Sequence, residues 1–315
     1  FSPPDGFQPL NAANFRPETV ISRPDQYFNT TLWSGDNADP RQIDLGMAPD
    51  LIWVKTRNQT NWHWLSDSLR GTADKRYKLY SNSTSIEDTA PIYGQADSFN
   101  DSGFIVGGGT DGSNPLSDSN QTGTDYVCWS WKAGGSKNTF NVDNVGYSTY
   151  TDAPGLNSGT IPLTGASVGT RQGFSILKYT GSGSNGTLAH GLSQAPDFFF
   201  GRDLEDSGGS RDWIIYHKDV GNTARLKFTD ANISTSSVFF QDTSPTNSLI
   251  TIGTSNDINS TNDHILYCFH NVPGLQKFGR YTGTNDSDAK DGPFVELGFR
   301  PALVAIKRLG TGNWI

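Results

Sequence analysis

A diverged internal repeat runs through this chain. Its marker is an aromatic-centred strand closed by a small-residue turn, followed by a Pro that opens an apolar strand. The first copy reads Thr31-Leu32-Trp33-Ser34-Gly35, then Leu45-Gly46, then Pro49-Asp50-Leu51-Ile52-Trp53-Val54-Lys55. The second reads Leu177-Lys178-Tyr179-Thr180-Gly181, then Gly191-Leu192, then Pro196-Asp197-Phe198-Phe199-Phe200. The third reads Gly279-Arg280-Tyr281-Thr282-Gly283, then Leu297-Gly298, then Pro301 through Lys307. Trp62 through Gly71 aligns without a gap to Asp212 through Gly221, and Asn313-Trp314-Ile315 matches the start of the same strand. A repeat of this length points to a string of similar modules rather than one large enzyme core. Because the chain opens on Phe1 and stops inside the third copy, it reads as a fragment of something larger.

Composition sets the class of module. The acidic charge is carried by Asp, with Glu only at positions 18, 87, 205 and 296. Asp, Asn, Ser, Thr and Gly favour turns and compete with helical backbone bonds. With 35 Gly and 16 Pro among 315 residues, and no long helical-period apolar pattern, the expectation is an all-β fold. Short strands between turn clusters such as Gly35-Asp36-Asn37 and Asn100-Asp101-Ser102-Gly103 point to a sandwich or a barrel, and the expected fold is tandem antiparallel β-sandwich, jelly-roll-like modules. The expected organisation is an extended leader over 1–26, module one over 27–142, a Gly/Ser/Thr-rich linker over 143–171, module two over 172–274, and the start of a third module over 275–315. Strand period two puts Val127, Trp129 and Trp131 on one face, matching Ile265, Tyr267 and Phe269, and marks that face as the sandwich core. Cys128, Ser130, His264 and Cys268 then point the other way. Burying each aromatic contributes about 2–3 kcal/mol, enough to fix the register.

Chemistry-bearing patterns are sparse. There is no Gly-x-Ser-x-Gly elbow, His-Glu-x-x-His, Walker-type Gly-Lys-Ser/Thr or Cys-x-x-Cys. Gly107-Gly108-Gly109 follows an apolar strand but leads into a Pro-containing loop, so it reads as a strand end. The histidines, His63, His190, His217, His264 and His270, read as partly exposed strand residues without an evident nucleophile. Asp67 and Asp219 lie in different modules, with nothing to pair them. Asp286 through Gly292 echoes a calcium loop but places Lys290 at a ligand position. Two cysteines, Cys128 and Cys268, make neither a disulfide framework nor a metal signature. The expectation is therefore no catalytic residue, no metal and no cofactor.

The net charge of −8 disfavours nucleic-acid binding, and the one dense basic cluster is Arg70, Lys75, Arg76 and Lys78. No apolar run approaches a membrane span. What remains is a set of tryptophans, Trp62, Trp64 and Trp213, on the repeated strand. Indole faces stack on sugar rings and neighbouring Asn/Asp loops bond hydroxyls, so these three are the candidate glycan contacts.

The segments 49–55, 65–71, 81–84, 99–104, 126–135, 173–176, 190–192, 277–283 and 291–295 together resemble a module that recurs in virion proteins of marine tailed bacteriophages, including those of cyanobacteria. The leader Pro3-Pro4-Asp5-Gly6-Phe7-Gln8-Pro9-Leu10-Asn11 is similar to the tail of a SPRY-like domain that often precedes such modules. The resemblance implies a non-enzymatic structural protein on the virion surface: a tail fibre, an appendage or a capsid decoration. Its implied partners are other virion proteins, further copies of itself (a trimer in a fibre) and host surface polysaccharide. A glycan-binding lectin and a polysaccharide depolymerase are the alternatives. The second copy departs from the pattern, since Phe198-Phe199-Phe200-Gly201-Arg202 replaces a strand ending in Lys.

Overall fold

In the computed structural model of the chain, residues 20–205, 211–284, 292–309 and 314 are described. The fold is all-β, built from antiparallel sheets in sandwich fashion. The first half holds β1 (Phe28–Ser34), β2 (Arg41–Asp44), β3 (Leu51–Thr56), β4 (Trp64–Asp67), β5 (Gly71–Thr72), β6 (Lys75–Arg76), β7 (Leu79–Tyr80), β8 (Gln95–Asn100), β9 (Gly103–Gly107) and β10 (Asp125–Trp131). The second holds β11 (Phe140–Val142), β12 (Val145–Tyr147), β13 (Leu163–Gly169), β14 (Phe174–Thr180), β15 (Gly186–Ala189), β16 (Phe198–Asp203), β17 (Ile214–His217), β18 (Ala224–Arg225), β19 (Ser234–Thr235), β20 (Leu249–Ile252) and β21 (Asp263–Phe269). Helix is confined to short turns at Pro24–Gln26, Ser237–Phe240 and Asn256–Asn259.

The sequence repeat is a repeat of strand order. The five-stranded sheet runs β1-β10-β3-β4-β7, and the core of the seven-stranded sheet runs β14-β21-β16-β17. Each marker strand therefore pairs with the closing strand of its copy, and that strand pairs with the one opened by Pro-Asp. The marker residues have matching work in both copies. Trp33 stacks on Tyr126 at 5.0 Å, and Tyr179 stacks on His264 at 5.2 Å. Ser34 and Thr180 each donate to the Asp opening the closing strand, Asp125 and Asp263, at 2.6 and 2.7 Å. The Asp50 and Asp197 amides donate to the carbonyls of Trp131 and Phe269, both at 2.8 Å. Their carboxylates then accept the amides of Ala133 and Asn271, just beyond the strand. Gly35 and Gly181 are required by close approach: a Cβ would sit 2.0 Å from the Gln121 carbonyl oxygen, or 1.9 Å from that of Ser260.

Four layers result. The sheet β2-β9-β8 covers the five-stranded sheet over a core of Trp33, Ile43, Val54, Trp64, Phe104, Tyr126 and Cys128. The pair β15-β20 and the helical turns cover the seven-stranded sheet over Leu177, Tyr179, Phe199, Phe240, Ile250, Leu266 and Cys268. Between them the two large sheets bury a third apolar layer, with Leu51, Leu65 and Leu79 against Phe174, Ile176, Phe200, Trp213, Tyr267 and Phe269.

That middle layer corrects the facial assignment. In β10 it is Tyr126 and Cys128 that enter the sandwich core of their own half, with Ser130 buried on the same side. Val127 and Trp129 are half-buried, Trp129 lying edge-on to Trp53, while Trp131 meets Phe269 of the other half at 6.4 Å. In β21, Ile265, Tyr267 and Phe269 face the junction, while Leu266 and Cys268 enter the sandwich core. Period two shows which residues share a face. Where both faces of a sheet are buried, it does not say which neighbour each face meets.

The domain boundaries change as well. Residues 143–171 are not a linker: they supply β12 and β13, and β11 pairs in parallel with β13 rather than joining the first half. Ala166 and Val168 are core residues, while Ser167 is buried and exchanges hydrogen bonds with the Gly134 amide and the Gly135 carbonyl. Small and polar residues give this segment a loop-like composition, but their polar groups are satisfied inside. The expected third-module strands do not form among the described residues of 275–309. A marker strand needs a closing strand beside it, and none lies there. Instead Phe278 stacks on Phe198 at 5.2 Å, and Trp314, bridged to Lys307, donates to the Lys227 carbonyl. Of the leader, Ile21 is buried and its amide donates to the Pro273 carbonyl. Phe7 and Phe15, like Asp286 to Asp291 of the calcium-like loop, lie outside the described residues.

Polar groups seal the junction. Tyr267 Oη donates to Asp67 Oδ2 at 2.6 Å, and Arg70 Nε donates to the same oxygen at 2.6 Å. Arg70 Nη1 reaches Glu87 at 2.8 Å, and Asp67, Arg70 and Tyr267 are buried. Arg202 donates across the junction to the carbonyls of Ser83 and Thr84, and Trp213 Nε1 to that of Tyr80. Removing one partner of such a cluster strands the others. We expect Asp67→Ala to cost about 3–5 kcal/mol by leaving the Arg70 charge buried, and Tyr267→Phe about 1–3 kcal/mol by removing a donor. Urea unfolding measures both, and a change near zero for Asp67→Ala contradicts the arrangement.

The buried histidines make stability pH-dependent. His190, His264 and His270 are buried rather than partly exposed. Burial pushes His190 down to about 4. Its Nδ1 accepts the Leu192 amide at 3.1 Å and its Nε2 lies 3.1 Å from the Thr246 carbonyl, so the neutral ring fits and a second proton has no acceptor. A folded pKa below the unfolded value of about 6.5 means that stability is intact above that value and is lost as pH falls toward 4. The His190 share of the loss is up to about 3 kcal/mol. His190→Asn therefore flattens the dependence of stability on pH in that window relative to the parent, as read from denaturation midpoints. An unchanged slope contradicts this.

Candidate functional site

Three loops at one end of the first half enclose a groove of about 1000 Å³. They are the 57–63 loop between β3 and β4, the 81–94 segment between β7 and β8, and the 111–124 segment between β9 and β10. Trp62 stands in it 48% exposed, edge-on to Tyr80 at 4.9 Å. Tyr93 and Ile92 present further exposed apolar surface at 42% and 45%.

A buried ion pair holds the floor. Lys78 Nζ donates to Asp118 Oδ2 at 2.7 Å and to the Gly94 carbonyl at 2.9 Å. It also lies over the rings of Trp64 and Tyr80, at 5.4 and 5.3 Å. Burial pulls the Lys78 ammonium below its ordinary range, and Asp118 opposes that. The other oxygen of Asp118 accepts from Asn61 at 3.0 Å, which fixes the residue preceding Trp62. Tyr80 Oη donates to Asp88 Oδ2 at 2.7 Å, and burial followed by the Asp88 hydrogen bond raises its pKa. The arrangement offers an aromatic face, apolar flanks and several hydrogen-bonding side chains, a combination suited to a polar ligand with one apolar face.

Of the three expected contact tryptophans, only Trp62 lines this groove. Trp64 is 1% exposed in the core of the first sandwich, its Nε1 donating to the Asp118 carbonyl at 3.0 Å. Trp213 is fully buried in the layer between the halves. Neither presents a face to a sugar. The alternation that puts Trp62 and Trp64 on one face does not apply, because β4 begins at Trp64 and Trp62 sits in the preceding loop. Tyr93 and Asp88 escaped the sequence reading: they lie in a loop outside the repeat, and only the fold brings them into the same groove as Trp62.

Elsewhere, Ser260, Asp203 and His264 meet at the end of β21. Ser260 Oγ donates to Asp203 Oδ2 at 2.6 Å, with His264 Nε2 3.4 Å away, and His264 Nδ1 bonds the Asn262 carbonyl. The carboxylate is the shorter contact of the serine hydroxyl and the histidine the longer. The basic cluster is not a surface patch, since Arg70 and Lys78 are both buried in ion pairs. The Gly108 amide is occupied by Asp39 at 3.0 Å. Cys128 and Cys268 are buried free thiols. Among the described residues no group of His, Cys, Asp and Glu is placed to hold a metal, and no helix is long and apolar enough to cross a membrane.

Trp64→Ala should cost about 3–5 kcal/mol through the cavity it opens, whereas Trp62→Ala should stay within about 0.5 kcal/mol. Thermal denaturation of the two variants separates the buried ring from the exposed one, and equal losses contradict this assignment.

No curated protein and no solved structure matches the chain. One family match spans residues 23–315, nearly the whole length. By that match the chain belongs to the family described as a domain of unknown function (DUF7483).

Proposed function

We propose that this chain is a structural, adhesive protein of a tailed-phage virion surface, whose groove contacts host glycans. The observation that carries the adhesive part is the exposed Trp62 in one groove with Tyr93 and Asp88, set on an end of the molecule that two packed sandwiches hold stiff. An aromatic ring with adjacent hydrogen-bonding side chains supplies both the apolar and the polar half of sugar recognition. Ordered loops on a rigid scaffold lose little freedom on binding. The virion placement rests on the sequence resemblance given above, and other virion proteins and further copies of this chain are its proposed neighbours.

Two experiments test the two parts. Cryo-electron microscopy of intact particles from the encoding phage is expected to locate the chain on the capsid exterior or the tail; its absence from purified particles contradicts the placement. Binding of the purified protein to host envelope polysaccharide is expected to fall at least about tenfold on Trp62→Ala, the loss of one stacking contact. Undiminished binding removes the groove from the account.

A further inference from the structure

The groove carries a charge signature as well as a shape. Among the described residues that line it there is no Lys, Arg or His, while Glu87, Asp88 and Asp118 all line it. Two cations are committed behind the wall: Lys78 is buried on Asp118, and Arg70 is buried on Asp67 and Glu87. Lys55, beneath the 57–63 loop, turns its ammonium to the carbonyls of Gln59 and Asn61. Among the described residues Asp88 has no basic partner, and its carboxylate accepts from Tyr80 Oη and the Ala90 amide. Glu87 and Asp118 are thus offset by ion pairs, and Asp88 is the lining carboxylate left without one, on a chain of net charge −8.

We infer that the groove takes a neutral saccharide and rejects sulfated or uronate-bearing chains, with Trp62 as the stacking face and Asp88 as an acceptor for sugar hydroxyls. The inference rests on the adhesive reading above and narrows it to one ligand class. An anionic sugar entering here meets Asp88, whose charge no ion pair offsets, with no cation among the described lining residues to receive it, and like charges brought together in a partly desolvated site repel. A neutral ring meets no such penalty. Its hydroxyls can donate to Asp88 and to the side-chain oxygens of Asn114 and Gln121, which also line the groove. Discrimination is then set by repulsion of the wrong ligand as much as by attraction of the right one.

The test uses the full chain in a binding assay against two panels. One holds neutral oligosaccharides (malto-, cello-, manno- and galacto-hexaoses), the other heparin and polygalacturonate. Binding to at least one neutral member is expected, about tenfold weaker for Trp62→Ala and insensitive to added salt, since no ion pair is formed. Asp88→Asn, which keeps the shape and removes the charge, is expected to narrow the gap between the neutral and acidic panels. Salt-sensitive binding tighter for the acidic panel overturns the inference and leaves the adhesive reading standing. Binding to neither panel overturns both.

Discussion

The packing of one large sheet on the other is the constraint on which the rest of the molecule depends. Each half, taken alone, would expose a sheet face bearing Leu51, Trp53, Leu65 and Trp131, or Phe174, Phe200, Tyr267 and Phe269. Surfaces of that size and character do not stay open to water on soluble monomers. The two faces cover each other, and the cluster of buried Asp67, Arg70 and Tyr267 with partly buried Glu87 fixes how they meet. An apolar layer tolerates sliding; a buried charge with three committed partners does not, because any shift leaves it unpaired. The groove inherits this rigidity. Glu87 on its wall is held by Arg70 and by a backbone bond from its amide to Leu204 of the second half.

The repeat explains how such a molecule is encoded. Each copy carries its own sandwich core and, on the outer face of its main sheet, a second apolar set that only the other copy can cover. The marker Asp at positions 50 and 197 closes one strand against the next, and the marker glycines at 35 and 181 let backbone pass where no side chain fits. Divergence is concentrated away from these points. In the first copy, loops between strands build the groove; in the second, a Ser260–Asp203 contact lies beside His264.

Much of this was legible in the sequence. The all-β class followed from turn-forming residues and short alternating strands, and the repeat followed from Trp33 against Tyr179 and Pro49-Asp50 against Pro196-Asp197. The correct partition of β10 into two faces was also readable, but not which face met which layer, since both are buried. Trp64 and Trp213 were indistinguishable from Trp62 by residue type and spacing; their burial depends on a strand start and a sheet junction that local pattern does not encode. The stretch over 143–171 looked like a linker because Ser167, Gly165 and Gly169 are loop residues by composition, and their burial is paid for by hydrogen bonds across the sheet. Ile92, Tyr93 and Asp88 had no repeat partner to draw attention to them.

The central claim is that the two sandwiches form one cooperative body through their shared layer. Native-state hydrogen exchange followed by mass spectrometry tests it most directly, comparing amides of β3 and β10 with those of β14 and β21. The account predicts that the most protected amides of both halves exchange through the same global opening, with the same free energy and the same denaturant dependence. Two separate openings, with the strands of one half exchanging while those of the other stay protected, would contradict it.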